Sequence, residues 1–299
     1  MSNKTLFKFN KSNIDSHTYI KSPLNYHGNK YKILPQIIPL FPKSINTFID
    51  AFGGSATVLL NTMANRYIYI EKNPKIFEII SGMFFTDYET IIDSINKILN
   101  KYDLTRENET AFLKLRKDYN DKVINDWITL YVLHCFSFNW LIRFNQIGDY
   151  NSSWSKGHAY YTERQKESIK QLKDKFATKS IKTYNDSIFN FNFSELTQDD
   201  FIYFDPPYLN SEAVYNDTSR GFCGYTKEDE KQLLSILEQL NKRQVKWGLS
   251  NNLGYTNSLL EKFILNYNIH YINRNYNSCN YIKKNILENS NSEIFVTNY

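Results

Sequence analysis

The segment FIYFDPPYLN, residues 201–210, places an acid, two prolines and an aromatic residue directly after four strand-forming residues. Pro206 and Pro207 fix φ and remove two N–H donors, so this turn is rigid. Asp205 and a backbone carbonyl of the turn can accept both hydrogens of an exocyclic amino group, and the Tyr208 ring can stack on the plane that carries it. A purely structural turn is the alternative, because Asp and Pro are ordinary turn formers. An apolar strand followed by an acid, two prolines and an aromatic residue is rarer than an Asp-Pro turn alone, and this combination favours a binding site for a planar amine.

A second candidate site is the glycine pair in FIDAFGGSA, residues 48–56. A strand that ends at Asp50 and turns through Gly53 and Gly54 into a helix lets backbone N–H groups approach a ligand closely. From this stretch alone, a tight strand–helix turn with nothing bound is an equal alternative.

Glu71 follows the next apolar run, RYIYI, in the place where nucleotide-binding α/β folds carry an acid. Such an acid, roughly 20 residues after the glycine turn, accepts hydrogen bonds from ribose hydroxyls. Pairing with Lys72 or capping of the next helix is the alternative. Together with the glycine turn, Glu71 favours an adenosine-containing ligand.

The elements that position these residues follow an α/β scheme. Strand, turn and helix occur twice between residues 45 and 85, with the second helix predicted to begin after Asn73 and Pro74. Four later segments are typical of helices: YETIIDSINKILNKY, TAFLKLRKDY, INDWITLYVLHCFSFNWLIRF and ERQKESIKQLKDKF. The lysines of KQLKDKFATK are predicted to form a solvated face, with phosphate contact as the lesser alternative.

After the helical segment the α/β scheme returns. SIKTY, FIYF, QVKWGLSNN and NSEIFVTNY are predicted strands, and Thr226 is the predicted N-cap of the helix TKEDEKQLLSILEQLNK. We expect a mostly parallel sheet. Ligands of such sheets bind at the carboxyl ends of the strands, where Asp205 is expected.

Composition sets broad limits on the function. The 299 residues carry a net charge of +5, which is compatible with a polyanionic partner without requiring one. The three cysteines are far apart and the histidines are scattered, so neither a disulfide framework nor a metal site is expected. The polar start and the lack of a long apolar run predict a soluble cytoplasmic protein that does not enter a membrane.

The order of glycine turn, acid, helical segment and DPPY resembles the Dam-type (α-group, D12 class) DNA adenine-N6 methyltransferases. Further segments resemble that family: LNYHGNKYKILPQI (24–37), IRFNQIGDYN (142–151), LSN (249–251) and EIFVTNY (293–299). The resemblance implies a Rossmann-like S-adenosylmethionine-dependent methyltransferase fold with an inserted helical target-recognition domain. The implied division is an extension at 1–20, a catalytic domain at 21–83 and 181–299, and a recognition domain at 84–180.

The resemblance also assigns roles to residues. It implies catalysis by Asp205, Pro206, Pro207 and Tyr208. It implies contact with the methyl donor, S-adenosylmethionine, by Tyr26, Lys30, Asp50, Phe52, Gly53, Gly54, Ser55, Glu71 and Asp205. It implies DNA contact by Arg143, Asn145 and Tyr150, and a reaction that needs no metal. For Arg143, a phosphate contact or a salt bridge is an equal alternative to base reading.

The implied function is site-specific transfer of a methyl group to the N6 amine of an adenine flipped out of double-stranded DNA, with a cognate restriction endonuclease as a candidate partner. Similar motifs also serve methylation of cytosine N4, RNA adenine N6 and protein glutamine, and a DNA-binding regulator with a vestigial methyltransferase fold is a further alternative.

The sequence departs from the family pattern at two places. Tyr26, His27 and Gly28 replace the tryptophan and Ala-Gly frequent in the family, and SSWSKG replaces the VPFG of relatives that read GATC, which argues against GATC as the target.

Overall fold

A computed structural model describes residues 19–209, 224–255, 257–273 and 293–299 of the chain. Residues 1–18 of the predicted extension lie outside the described residues, as do Cys223 and Cys279. Cys135 is buried, with no disulfide partner in the described part of the chain. Among the helices described, none is both long enough and apolar enough to cross a membrane.

The strands form one seven-stranded sheet in the order β3-β2-β1-β4-β5-β7-β6. They are Thr47–Asp50 (β1), Arg66–Ile70 (β2), Ser180–Tyr184 (β3), Phe201–Phe204 (β4), Lys246–Asn252 (β5), Asn268–Tyr271 (β6) and Glu293–Thr297 (β7). Strands β1 to β5 pair in parallel, and β7 runs antiparallel to both β5 and β6. The predicted mostly parallel sheet is confirmed.

The described helices are Leu34–Ile37 (α1), Thr57–Asn61 (α2), Pro74–Phe85 (α3), Tyr88–Tyr102 (α4), Glu109–Asn120 (α5), Trp127–Phe136 (α6), Glu163–Phe176 (α7), Lys227–Lys242 (α8) and Ser258–Ile264 (α9). The two predicted helix starts are confirmed. The Asn73 side chain accepts hydrogen bonds from the first turn of α3, and Thr226 forms a reciprocal capping box with Asp229 at the start of α8.

The strand order reverses next to β1, which pairs with β2 on one side and with β4 on the other. At such a switch point the connections leave in opposite directions and open a crevice at the carboxyl ends of the strands. Asp50 ends β1 and is in register with Tyr203 of β4, so Asp205 follows two residues further along, directly after β4. The topology therefore brings the glycine turn and the DPPY turn to the same crevice.

The sheet separates two clusters of buried apolar side chains. One cluster joins α3 to α7 to side chains of β1, β2, β4 and β7. The other lies beneath α8 and α9. The segment predicted as a separate recognition domain, residues 84–180, thus shares a core with the sheet, and no break in that core coincides with its boundaries. The division into domains stays a prediction.

One predicted helix ends early. The segment predicted as helical through residue 144 is helical only to Phe136, and Asn139 and Trp140 both adopt φ of 52°. The Ser137 hydroxyl donates to the carbonyl of Leu133 at 2.8 Å, which competes with continuation of the helix. The chain then folds back so that Phe144 bridges Tyr150 in antiparallel fashion. The helical spacing of apolar residues continues beyond Phe136, but the backbone leaves the helical conformation there. The prediction of a helix through residue 144 was therefore wrong.

The predicted solvated lysine face is also wrong in part. The Lys173 ammonium donates to the carbonyl of Phe84 at 2.7 Å, and the Lys175 ammonium donates to the carbonyl of Thr62 at 2.7 Å. Burial, followed by repulsion from Lys179, lowers the pKa of Lys175 to about 8. Lys173 and Lys175 thus bind backbone carbonyls at the carboxyl ends of α3 and α2. Lys170, in contrast, is exposed as predicted.

Candidate active site

One crevice lies at the carboxyl ends of β1, β2 and β4. Its wall contains every residue predicted to contact the methyl donor: Tyr26, Lys30, Asp50, Phe52, Gly53, Gly54, Ser55, Glu71 and Asp205. Pro207 also lines it. Pro206 is buried and Tyr208 half-buried directly beside it. Residues that the sequence analysis assigned from separate motifs are therefore neighbours in space.

The glycine turn is built against a tyrosine ring. A Cβ added at Gly53 would lie 2.2 Å from Cε2 of Tyr69, which is far inside van der Waals contact. The Tyr69 hydroxyl donates to the carbonyl of Gly54 at 2.6 Å, and the Gly53 N–H donates to the carbonyl of Ile70 at 2.8 Å. Gly54 has φ of +48°, a conformation that favours glycine. Both glycines are thus required by the local geometry.

Glu71 holds the glycine turn to the next helix. One carboxylate oxygen accepts the Gly54 N–H at 2.8 Å, and the other accepts the Asn73 N–H at 2.7 Å. A carboxylate offers about four lone-pair sites, so both oxygens retain capacity for ribose hydroxyls. Burial raises the pKa of Glu71, and the backbone hydrogen bonds oppose that shift. The helix-capping alternative is compatible with a ligand-binding role, because the same side chain can do both.

Asp50 lies deeper in the crevice than the other acids, with only 2% of its surface exposed. Burial, followed by repulsion from Asp205, raises its pKa well above the ordinary value. Burial in the crevice therefore favours the protonated form of Asp50.

The DPPY turn is held by contacts from distant parts of the chain. The Lys30 ammonium lies 2.6 Å from an Asp205 carboxylate oxygen and 5.5 Å from the centre of the Tyr208 ring. The Tyr208 hydroxyl donates to a carboxylate oxygen of Glu293 at 2.9 Å. Asp205 nevertheless faces the crevice, so an amine that approached it would share this carboxylate with Lys30 or take the place of the ammonium.

Several lining residues were missed by the sequence analysis. Asp186, Ser187, Ile188 and Phe189 follow β3 and close one side of the crevice, and Tyr225 and Asp229 close another. The signal for the first group was available, because SIKTY was a predicted parallel strand and its carboxyl end must lie at the same edge of the sheet. Tyr225 and Asp229 reach the crevice because of where the start of α8 lies relative to the sheet. The local sequence predicts that the helix begins there but not its position in space.

The three residues predicted to contact DNA lie on the folded-back segment after α6. Arg143 is exposed, and its guanidinium donates to the side chain and the carbonyl of Asn151. The Asn145 side chain accepts the N–H groups of Ile147 and Asp149 and so holds the turn.

Tyr150 differs from these two because it is buried, with 1% of its surface exposed. Its hydroxyl oxygen lies 2.6 Å from that of Ser137 and 3.0 Å from the Leu141 carbonyl oxygen, and its one hydrogen can be donated to either. In this conformation Tyr150 shapes the segment from within the core, and a direct contact with DNA would require it to leave. Its assignment to DNA contact stays a prediction.

An α/β sheet with a glycine turn, Glu71 and a DPPY turn in one crevice is consistent with the Rossmann-like methyltransferase fold. The family model described as D12 class N6 adenine-specific DNA methyltransferase matches residues 26–278. The chain belongs to this family.

Named relatives agree with the family match. The chain is 38% identical over 99% of its length to the modification methylase StsI of Streptococcus sanguinis, covering 46% of that protein. It is 36% identical over 95% of its length to the type II methyltransferase M.FokI of Planomicrobium okeanokoites, covering 44% of it. A DNA adenine methylase of Vibrio cholerae is 27% identical over 74% of the chain and 77% of the relative. The chain spans about half the length of the first two relatives.

Proposed function

We propose that the chain transfers the methyl group of S-adenosylmethionine to the N6 amine of an adenine in double-stranded DNA. The observation that carries the proposal is the single crevice lined by the glycine turn, Glu71 and Asp205. A donor pocket and an amine-binding acid that share one crevice are what a one-carbon transfer requires, because the reacting atoms must come within about 3–3.5 Å.

The crevice suits the methyl donor. Gly53 and Gly54 bring backbone close to the ligand, and the carboxylate of Glu71 has acceptor capacity left for the ribose hydroxyls. The carboxylate of Asp205 complements a ligand with a sulfonium and an ammonium group, and such a ligand would favour the ionised form of the neighbouring Asp50. When bound, the donor supplies an already activated methyl group, and the proposed reaction uses no metal.

The DPPY turn receives the target base. An adenine within a duplex is inaccessible, so it must leave the helix before it enters such a crevice. The Asp205 carboxylate and the Pro206 carbonyl accept hydrogen bonds from the two N–H groups of N6, which shifts electron density from the ring back towards the nitrogen lone pair. As the N–CH3 bond forms, the S–CH3 bond breaks, S-adenosylhomocysteine leaves and N6 gives up one proton. Tyr208 stacks on the base. Positioning of this kind contributes about 7–11 kcal/mol in favourable cases.

DNA is recognised by the segment 84–180, with Arg143 as the candidate base reader. Its exposed guanidinium is held by Asn151 in a fixed orientation, which supports a directed contact with guanine. Asn145 and Tyr150 stabilise the same segment from within.

The relatives named as modification methylases support a place in a restriction–modification system with a cognate endonuclease. The absence of a spanning helix in the described residues is compatible with a cytoplasmic setting.

The test is incubation of the chain with duplex DNA and radiolabelled S-adenosylmethionine, followed by nucleoside mass spectrometry of the digested product. We expect N6-methyladenine from the wild type and none from Asp205→Ala. Asp199→Ala is the matched control, since Asp199 is an exposed acid before the opposite end of β4. Methylcytosine, product formed only on RNA or protein, or full activity of Asp205→Ala would refute the proposal.

A further inference from the structure

Glu293 is a buried acid at the edge of the crevice that the proposed reaction does not yet use. It is the first residue of β7, with 2% of its surface exposed. Strand β5 runs parallel to β4 and so ends at the crevice edge, and β7 runs antiparallel to β5. The register pairs Glu293 with Asn252 at the carboxyl end of β5, which puts the beginning of β7 beside the DPPY turn.

The contact at this point is specific. A Glu293 carboxylate oxygen accepts the hydrogen bond of the Tyr208 hydroxyl at 2.9 Å, across 85 positions of sequence. Burial, followed by the charges of Asp205 and Glu293, raises the pKa of Tyr208 well above its ordinary value. The tyrosine therefore keeps its proton, and the hydroxyl donates.

The ring of Tyr208 is fixed by this bond in combination with other neighbours. The Lys30 ammonium lies 5.5 Å from the ring centre, and the Tyr255 ring lies 6.1 Å away at an angle of 42°. These two contacts limit how the ring can shift, but each allows it to rotate. The bond to Glu293 anchors the far end of the side chain, and a tyrosine with both ends anchored has one orientation available to a stacking base.

We propose that Glu293 is a positioning residue for methyl transfer, acting through the Tyr208 hydroxyl to hold the ring in the orientation that receives the target base. The inference rests on the proposed function, since it requires a base to stack on Tyr208. Glu293 itself touches neither the base nor the methyl donor in this scheme, so its effect depends on the presence of the Tyr208 hydroxyl.

The experiment is a double-mutant cycle on the full chain with duplex DNA. Tyr208→Phe removes the donor, Glu293→Leu removes the acceptor, and the third variant carries both changes. We expect each single change to lower kcat roughly ten- to a hundredfold, the range of a hydrogen bond to a charged group. The double variant should be no slower than the slower single variant. S-adenosylmethionine affinity, measured by calorimetry, should stay unchanged.

Two further variants separate positioning from simple loss of stability. Glu293→Gln keeps a carbonyl acceptor within reach of Tyr208, so its kcat should lie nearer to the wild type than that of Glu293→Leu. If the leucine variant fails to fold, the glutamine variant still tests the positioning role. Asp200→Leu breaks another set of hydrogen bonds to a buried carboxylate, those from the Thr47 N–H at 2.9 Å and the Asn46 side chain at 3.1 Å, before β4 at the opposite end of the strands from the crevice, and should leave kcat per folded molecule unchanged.

The outcomes are distinguishable. Independent, multiplying effects of the two single changes would overturn the positioning role alone, as would a Glu293→Leu variant that loses stability but keeps full kcat. Failure of the wild-type chain to methylate DNA at all would overturn the proposed function and the positioning role with it.

Discussion

Replacement of Gly53 by alanine tests whether the glycine turn forms the donor pocket. The added Cβ would lie 2.2 Å and 2.4 Å from two carbons of the Tyr69 ring, whereas carbon atoms pack best at about 3.5–4.0 Å. Tyr69 is fully buried, and the rings of Phe77 and Phe84 stand at 6.3 Å and 5.9 Å from its own. Because the tyrosine cannot retreat, the turn must rise into the crevice.

The size of the effect follows from the cost of overpacking. An extra methyl group in a closely packed position costs about 1–3 kcal/mol. The variant can relieve this overpacking cost by moving the glycine turn away from Tyr69 and into the crevice. To bind S-adenosylmethionine, the turn must then return to its original position, which costs the same free energy. At about 1.4 kcal/mol for each tenfold change, Gly53→Ala should then weaken binding of the donor roughly five- to 150-fold.

The assay is isothermal calorimetry with S-adenosylmethionine, paired with urea unfolding. Gly82→Ala is the matched control, because Gly82 lies in α3 and its added Cβ would lie 2.4 Å from the ring of Trp127 in α6, away from the crevice. We expect the control to lose stability while keeping donor affinity, and Gly53→Ala to lose affinity. Wild-type donor affinity in Gly53→Ala, or equal loss of affinity in both variants, would refute the assignment of this turn to the pocket.

Three other perturbations have defined outcomes. Because burial and Asp205 raise the folded-state pKa of Asp50, the folded chain binds more protons than the unfolded one, so the stability of the wild type falls as pH rises above the ordinary aspartate value. Asp50→Asn should therefore gain stability over the wild type with rising pH, by up to about 1.4 kcal/mol per pH unit in urea titrations; a constant difference would contradict this. Arg143→Ala should lose about 1–3 kcal/mol of discrimination on single-base variants of the methylated site, whereas a loss uniform across sequences would indicate a phosphate contact. Lys175→Met keeps the apolar stem but removes the bond to the Thr62 carbonyl, and should cost about 1 kcal/mol of unfolding free energy; an unchanged midpoint would show that the bond contributes nothing.

The elements that sequence predicted correctly are those whose signals are local. The apolar run 201–204 is a central buried strand, and Thr226 begins α8, because a fully apolar strand and a capping box each act over a few residues. The crevice followed from topology: once the strands are parallel, their carboxyl ends meet. Glu71 and Asp205, which each follow a parallel strand, are therefore expected at the same edge of the sheet from the sequence alone.

What sequence could not predict depends on distant partners. The end of α6 is set partly by the Ser137 hydroxyl, which contacts Tyr150 after the chain folds back. The strand NIHY, residues 268–271, was not predicted because its only partner in the described sheet is β7. The bond between Tyr208 and Glu293 likewise exists only because β7 is inserted beside β5.

The insertion of β7 between β5 and β6 also makes completion of the described sheet depend on a late part of the chain. Within the described sheet, β6 is hydrogen-bonded only through β7, although β6 leaves the ribosome first. Strands β1 to β5 can assemble as a parallel unit, while β6 must wait beside an open edge until residues 293–297 emerge. The hydrogen bond between Tyr208 and Glu293 depends on the same late segment, so the glycine turn is synthesised well before the Tyr208 ring can gain this anchor.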